Sequence, residues 1–186
     1  MIRSSSTPPM ARIPSEAILL PTKLNRPRLV DDVVPRPRLS KKLDATLRSR
    51  LLLVSAPAGF GKSTLVAWWL AQMPPIVSAW ISLDEHDNTV PGFLTYFIAA
   101  IETCFPGACA RVRGVGDASP ALSPTLQALA LAETLATLPG DLVVVLDDFH
   151  TIRAPDVLEL VEQLLLHLPE RLHLAILTRL DPPLPL

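Results

Sequence analysis

Short, mostly apolar stretches alternate along this chain with longer segments in which apolar positions recur every three or four residues. The short stretches are residues 51–55, 77–83, 142–146 and 172–178. A run that is apolar on both faces suits a strand in a parallel sheet, covered above and below by helices. The periodic segments predict those covers. Leu39, Leu43 and Leu47 share one face of a short helix, a second helix follows over 62–72, and a third opens at Pro91 and runs to Cys104 with a core stripe of Phe93, Leu94, Phe97, Ile98 and Ile101. A Leu- and Ala-rich helix is expected over 121–137, and another over 155–168 carries Val157, Leu160, Val161, Leu164, Leu165 and Leu168 on one side. Residues 107–119 hold glycines without periodicity and read as a loop. Strands alternating with helices at this spacing give an α/β fold with a parallel sheet, and no internal repeat is visible.

Composition narrows the class. With 186 residues, 49% of them apolar and only 5% aromatic, the chain can bury one substantial core packed by Leu, Val and Ala. The formal net charge is −1, so no overall basic field draws nucleic acid, and direct DNA binding by this segment is not expected. Cys104 and Cys109 lack metal-ligand spacing and read as reduced thiols of a cytoplasmic protein. No stretch approaches the roughly 20 apolar residues of a membrane span, and no secretory signal opens the chain. The twenty prolines cluster at boundaries between elements, and the Ser- and Pro-rich residues 1–17 are expected to form a disordered tail ahead of one domain over 18–186.

The chemistry begins where the first strand ends. Ser55-Ala56-Pro57-Ala58-Gly59-Phe60-Gly61-Lys62-Ser63-Thr64 joins a strand to a helix through a glycine-rich turn ending in Gly-Lys-Ser. Such a turn curls so that backbone N–H groups face inward at a polyphosphate, while the following helix aims its positive dipole end at the same point. Ala58, Gly59, Phe60 and Gly61 are the expected cradle, Lys62 reaches the β- and γ-phosphates, Ser63 ligates Mg²⁺, and Thr64 adds a bond to the α-phosphate or the loop. A chance Gly-Lys-Ser turn would lack the strand before it and the helix after it. Ala56 stands where the pattern has its first glycine, which the loop tolerates if Ala56 keeps a negative φ.

Residues 142–146 end in Asp147-Asp148, and a buried strand delivers such a carboxylate to the sheet edge where open α/β folds bind ligands. Asp147 is then the expected Mg²⁺ partner, and Asp148 the group that orients the attacking water. Either could instead be a solvated strand end or a helix cap. Arg179, after the last strand, would reach the γ-phosphate if that strand lies beside the acidic one, with Thr178 offering a weaker hydroxyl contact. Trp80 and the turn Asp84, Glu85, Asp87, Asn88 read as a packed indole and a polar loop. His86 and His150 lack metal-ligand spacing and receive no catalytic role; of Trp68 and Trp69, at most one can face the core.

Taken in order, Thr22-Lys23-Leu24, residues 33–39, the phosphate loop, residues 80–85, residues 146–150 and Thr178-Arg179 resemble the ATP-dependent LuxR-family transcription activators of the maltose-regulator type, a branch of the signal-transduction ATPases with numerous domains. In that family Ala56 in place of glycine is usual. The resemblance implies a three-layer P-loop NTPase and places Val34 and Arg36 against the base and ribose. It also implies an ATP/ADP switch with Mg²⁺, in which an ATP-bound form self-associates and slow hydrolysis resets it. Family members continue with a further strand, a sensor region and a DNA-binding domain. The chain is therefore expected to be a truncated core lacking the last edge strand, with residues 51–55 uncovered. The other reading is a freestanding small P-loop ATPase or kinase, and a third is a decayed remnant.

Overall fold

Every residue from Leu142 to Asp147 is buried, because this strand has a neighbour on each side and helices on both faces. The computed structural model describes residues 19–29, 34, 36–73, 76–110 and 122–184. The expected tail, Val33, Pro35 and residues 111–119 of the expected loop lie outside them. Four strands, β1 (Leu51–Ser55), β2 (Val77–Ser82), β3 (Leu142–Asp147) and β4 (Leu172–Thr178), form one all-parallel sheet in the order β1-β4-β3-β2. Among the described residues β1 is therefore an edge strand. The helices are α1 (Pro37–Thr46), α2 (Lys62–Ala71), α3 (Val90–Cys104), α4 (Pro124–Ala136) and α5 (Pro155–His167).

Alternation along the strands divides the core in two. Val143 and Val145 of β3, with Ala175 and Leu177 of β4, pack against Val66, Ala67, Trp69 and Leu70 of α2 and Leu43 of α1. Leu142, Val144 and Leu146, with Leu174 and Ile176, face the opposite layer, where α3, α4 and α5 contribute Phe93, Phe97, Leu131, Leu160 and Leu164. The result is the expected α/β/α sandwich. Trp69 is fully buried and its indole N–H donates to Asp44 Oδ1 at 2.8 Å, fastening α1 to α2, while Trp68 is half-buried against the same cluster. Both cysteines are free, and burial pushes the Cys109 thiol up.

Boundaries differ from the sequence expectation by up to three residues, the largest difference being the helix expected over 121–137, which runs Pro124–Ala136. Helix α3 starts at Val90, one residue early, because the Thr89 hydroxyl caps it by accepting from the Gly92 amide. Strand β2 stops at Ser82, where the Leu83 amide still donates to the Asp147 carbonyl but Asp84 already caps a 3₁₀ turn, Glu85–Asp87. That turn carries a reciprocal capping box, the Asp84 amide donating to Asp87 Oδ2 at 2.9 Å.

One polar feature is deep in the fold. Lys23, on the 3₁₀ turn Pro21–Leu24, is buried, with its Nζ 2.6 Å from Asp87 Oδ2, 2.9 Å from Asp84 Oδ2 and 4.3 Å from the centre of the Tyr96 ring. Burial disfavours the ammonium, but hydrogen bonds and charge from Asp87 and Asp84 outweigh it and raise the Lys23 pKa. Burial of Asp84 is likewise outweighed by Lys23, which holds that carboxyl below its ordinary value. Asp87 Oδ1 is buried without a partner, so Lys23 is what offsets this carboxylate. Lys23→Met should lower stability by about 3 kcal/mol, because an uncompensated buried charge remains. The raised Lys23 pKa makes the contribution complete below 10.5, and the lowered Asp84 pKa keeps it complete down to 3.8. Thermal melts of the two proteins should therefore differ most between those limits, and the share of the difference due to Asp84 should be lost as acid protonates it.

Candidate functional site

Two glycines shape the turn after β1. Gly59 and Gly61 have φ of 81° and 75°, in the left-handed region that L side chains rarely adopt. Ala56 keeps a negative φ, since Asp148 is the one described non-glycine residue with a positive value. Its amide donates to the Thr178 carbonyl at 3.2 Å, which anchors the start of the turn to the end of β4. Gly61 is the N-cap of α2 and provides no side-chain cap, and no acidic residue stands in the first turn. The first intrahelical bond there runs from the Leu65 amide to the Gly61 carbonyl, so the N–H groups of Lys62, Ser63 and Thr64 are left for another acceptor. Lys62 is buried against the turn, its Nζ donating to the carbonyls of Ala56 at 2.8 Å and Pro57 at 3.2 Å. Ala58, Gly59, Phe60 and Thr64 are exposed around it.

The acidic tip of β3 meets this turn. Asp147 is buried, and Ser63 lies close enough to its carboxylate to lower its pKa. The Asp148 amide also donates to Asp147 Oδ1, at 2.9 Å. Burial pushes the Asp147 pKa up, Ser63 pulls against it, the Asp148 charge adds to the rise, and the Asp148 amide and Lys62 charge oppose it. A second cation would therefore be welcomed at this carboxylate. Among the described residues no cluster of three or more His, Cys, Asp or Glu stands ready to hold a metal. The donor set is one carboxylate and one hydroxyl, which suits a hard cation that takes its other ligands from water and phosphate.

Asp148 has φ 54° and ψ 35°, a left-handed conformation that costs a non-glycine residue about 1 kcal/mol. From there its Oδ1 lies 3.8 Å from Arg179 Nη2 and 3.7 Å from His150 Nδ1. Strand β4 does lie beside β3, which is what carries Arg179 to this edge. The His150 Nδ1 atom is buried without a hydrogen bond, and burial followed by the Arg179 charge holds the His150 pKa below 6.5. Thr178 is a correction: its hydroxyl is fully buried and donates to the Leu180 carbonyl at 2.6 Å, so it shapes the turn behind Arg179 instead of facing a ligand. Val34 is 75% exposed, and Arg36 is exposed at the N-cap of α1, its carbonyl accepting from the Leu39 and Ser40 amides.

The structure thus brings Lys62, Ser63, Asp147, Asp148 and Arg179 to one edge of the sheet, and adds His150, which sequence reasoning set aside. It also replaces the expected polar loop at 84–88 by an ordered corner, whose Asp-x-x-Asp spacing is the capping-box signature in the sequence. Asp147→Asn tests the electrostatics of the site. Because the folded-state pKa is raised, ionising Asp147 costs stability as pH rises above 3.8. In metal-free buffer at neutral pH the Asn variant should match or exceed the parent in melting temperature, with a smaller loss of stability on raising the pH from acid. A variant that melts well below the parent across that range contradicts the assigned burial cost.

No protein-family model matches the chain. It is similar to the HTH-type transcriptional regulator MalT of Yersinia enterocolitica, at 37% identity over 167 residues. The MalT proteins of Yersinia pestis and Yersinia pseudotuberculosis show the same identity over the same length. The alignment covers 90% of this chain, and the chain spans 18% of the length of these curated relatives. Among solved structures, C. elegans PCH-2 aligns over 84% of this chain and 40% of its own, with a TM-score of 0.39 and 14% identity, too slight a likeness to bear on the fold. By sequence, across 90% of its length, the chain is similar to one segment of the MalT-type HTH transcriptional regulators, a segment that makes up 18% of their length.

Proposed function

We propose that residues 18–186 form a nucleotide-binding switch module of a LuxR-family transcriptional regulator, taking Mg²⁺-ATP and ADP at the edge formed by the ends of β1, β3 and β4. The observation that carries this reading is the meeting of Ser63 and the buried Asp147 carboxylate, close enough that Ser63 lowers the Asp147 pKa, with the Lys62 charge acting on the same group. Open positive-φ glycines, uncapped helix N–H groups and a buried lysine fit a polyphosphate. In this reading the amides of Ala58 to Thr64 line the phosphates, and Lys62 moves from the Ala56 and Pro57 carbonyls to β- and γ-phosphate oxygens. Ser63 and Asp147 hold Mg²⁺, which neutralises phosphate charge when bound. Asp148 orients the attacking water, and Arg179 forks onto the γ-phosphate. Val34 and Arg36 contact the base and ribose.

The slow hydrolysis that follows would act as a reset, and the difference between ATP and ADP states would rest on Arg179 and Asp148, the groups able to contact a γ-phosphate. We further propose that the chain works in the cytoplasm, self-associates in the ATP state and makes no direct DNA contact. Among the described residues no helix is long and apolar enough to cross a membrane.

Calorimetric titration with ATP and ADP, with and without Mg²⁺, tests the reading. Lys62→Ala should weaken binding of either nucleotide by more than about tenfold, equivalent to about 1.4 kcal/mol. Arg179→Ala should leave ADP affinity within about twofold while removing most of any preference for ATP. Nucleotide affinity that survives Lys62→Ala unchanged would overturn the site.

A further inference from the structure

The loop from Asp148 to Ala154 leaves β3 in a conformation that needs support at both ends. At the near end, the Asp148 amide donates to Asp147 Oδ1 at 2.9 Å, and the Thr151 amide and hydroxyl donate to the Asp148 carbonyl at 3.1 and 3.0 Å. At the far end, the Arg153 and Ala154 amides both donate to the side-chain oxygen of Asn88, at 2.8 and 2.7 Å. Both partners are donors, so the amide orientation of Asn88 is fixed by its network. Asn88 comes from the corner between β2 and α3. That corner is joined to β3 through the Leu83 amide and the Asp147 carbonyl, 3.0 Å apart, and is locked from behind by the buried Lys23. One rigid corner therefore grips the loop on both sides of Asp148.

We infer that Asn88 is a positioning residue, whose side chain holds the far end of this loop so that Asp148 stays left-handed with its carboxylate beside Arg179. A left-handed aspartate persists only where its surroundings over-determine it. Removing two hydrogen bonds at Arg153 and Ala154 frees the loop to relax, and the carboxylate then withdraws from Arg179. The bracket itself stands on geometry alone; only its consequence for turnover rests on the nucleotide reading proposed above.

Amide hydrogen exchange followed by NMR on the full chain tests the bracket, comparing the parent, Asn88→Ala and Asn88→Asp. The aspartate still offers an oxygen to both amides. In Asn88→Ala, exchange at the Asp148 and Thr151 amides, neither of which touches Asn88, should accelerate by about tenfold or more while Val144 and Val145 in β3 stay within about twofold. Asn88→Asp should restore the parent pattern. Unchanged exchange at Asp148 and Thr151 overturns the inference, and so does acceleration that spreads equally to Val144 and Val145, because Asn88 would then support the whole fold and not the loop. In a turnover assay Asn88→Ala should lower the rate at saturating ATP by about tenfold with Mg²⁺-ADP affinity within about twofold. Parent-like turnover with a loosened loop overturns the positioning role. A parent chain that binds no nucleotide sinks the functional reading instead, and leaves the exchange result to decide the bracket.

Discussion

A carboxylate carried into the protein interior at the end of a strand is unfavourable unless something nearby welcomes its charge. Asp147 is such a group, and the approach of Ser63 to its carboxylate is where the glycine-rich turn meets the acidic strand tip. Each half accounts for the other. The turn without Asp147 would hold an ammonium and free N–H groups but no carboxylate for a divalent cation. Asp147 without the turn would be a buried charge with a single backbone amide for company.

The fold exists around that meeting point. Strand β3 is buried on both faces because β4 and β2 flank it and helices cover it, so its tip cannot shift without disturbing two core layers. Ala56 is tethered to Thr178 and Leu83 to Asp147, which fixes the turn and the corner against neighbouring strand ends. The left-handed Asp148 is the strained piece, and it sits where the backbone must turn sharply to bring a carboxylate beside Arg179.

Much of this was legible in the residues. The strands announce themselves because a parallel sheet covered on both sides needs largely apolar segments, and the four such segments in the sequence are the four strands. The turn was legible because glycine, lysine and serine at that spacing between strand and helix serve one geometry. What escaped was long-range and polar. Lys23 pairs with Asp87 across 64 residues, and a lone lysine between Thr22 and Leu24 carries no periodic signal that it will be buried. Asn88 looked like one more polar loop residue, since its partners are backbone amides of Arg153 and Ala154 that no side-chain pattern reveals. Thr178 was misjudged because a hydroxyl beside Arg179 reads as a contact group, whereas the turn it precedes needs that hydroxyl for the Leu180 carbonyl.

A crystal structure of the chain grown with Mg²⁺ and a non-hydrolysable ATP analogue tests the central claim most directly. The account predicts phosphate density against the amides of Gly59 to Ser63 and the Lys62 ammonium, with the cation between Ser63 and Asp147. Nucleotide bound at another face of the molecule, with Lys62 still on the Ala56 and Pro57 carbonyls and no cation near Asp147, would contradict it.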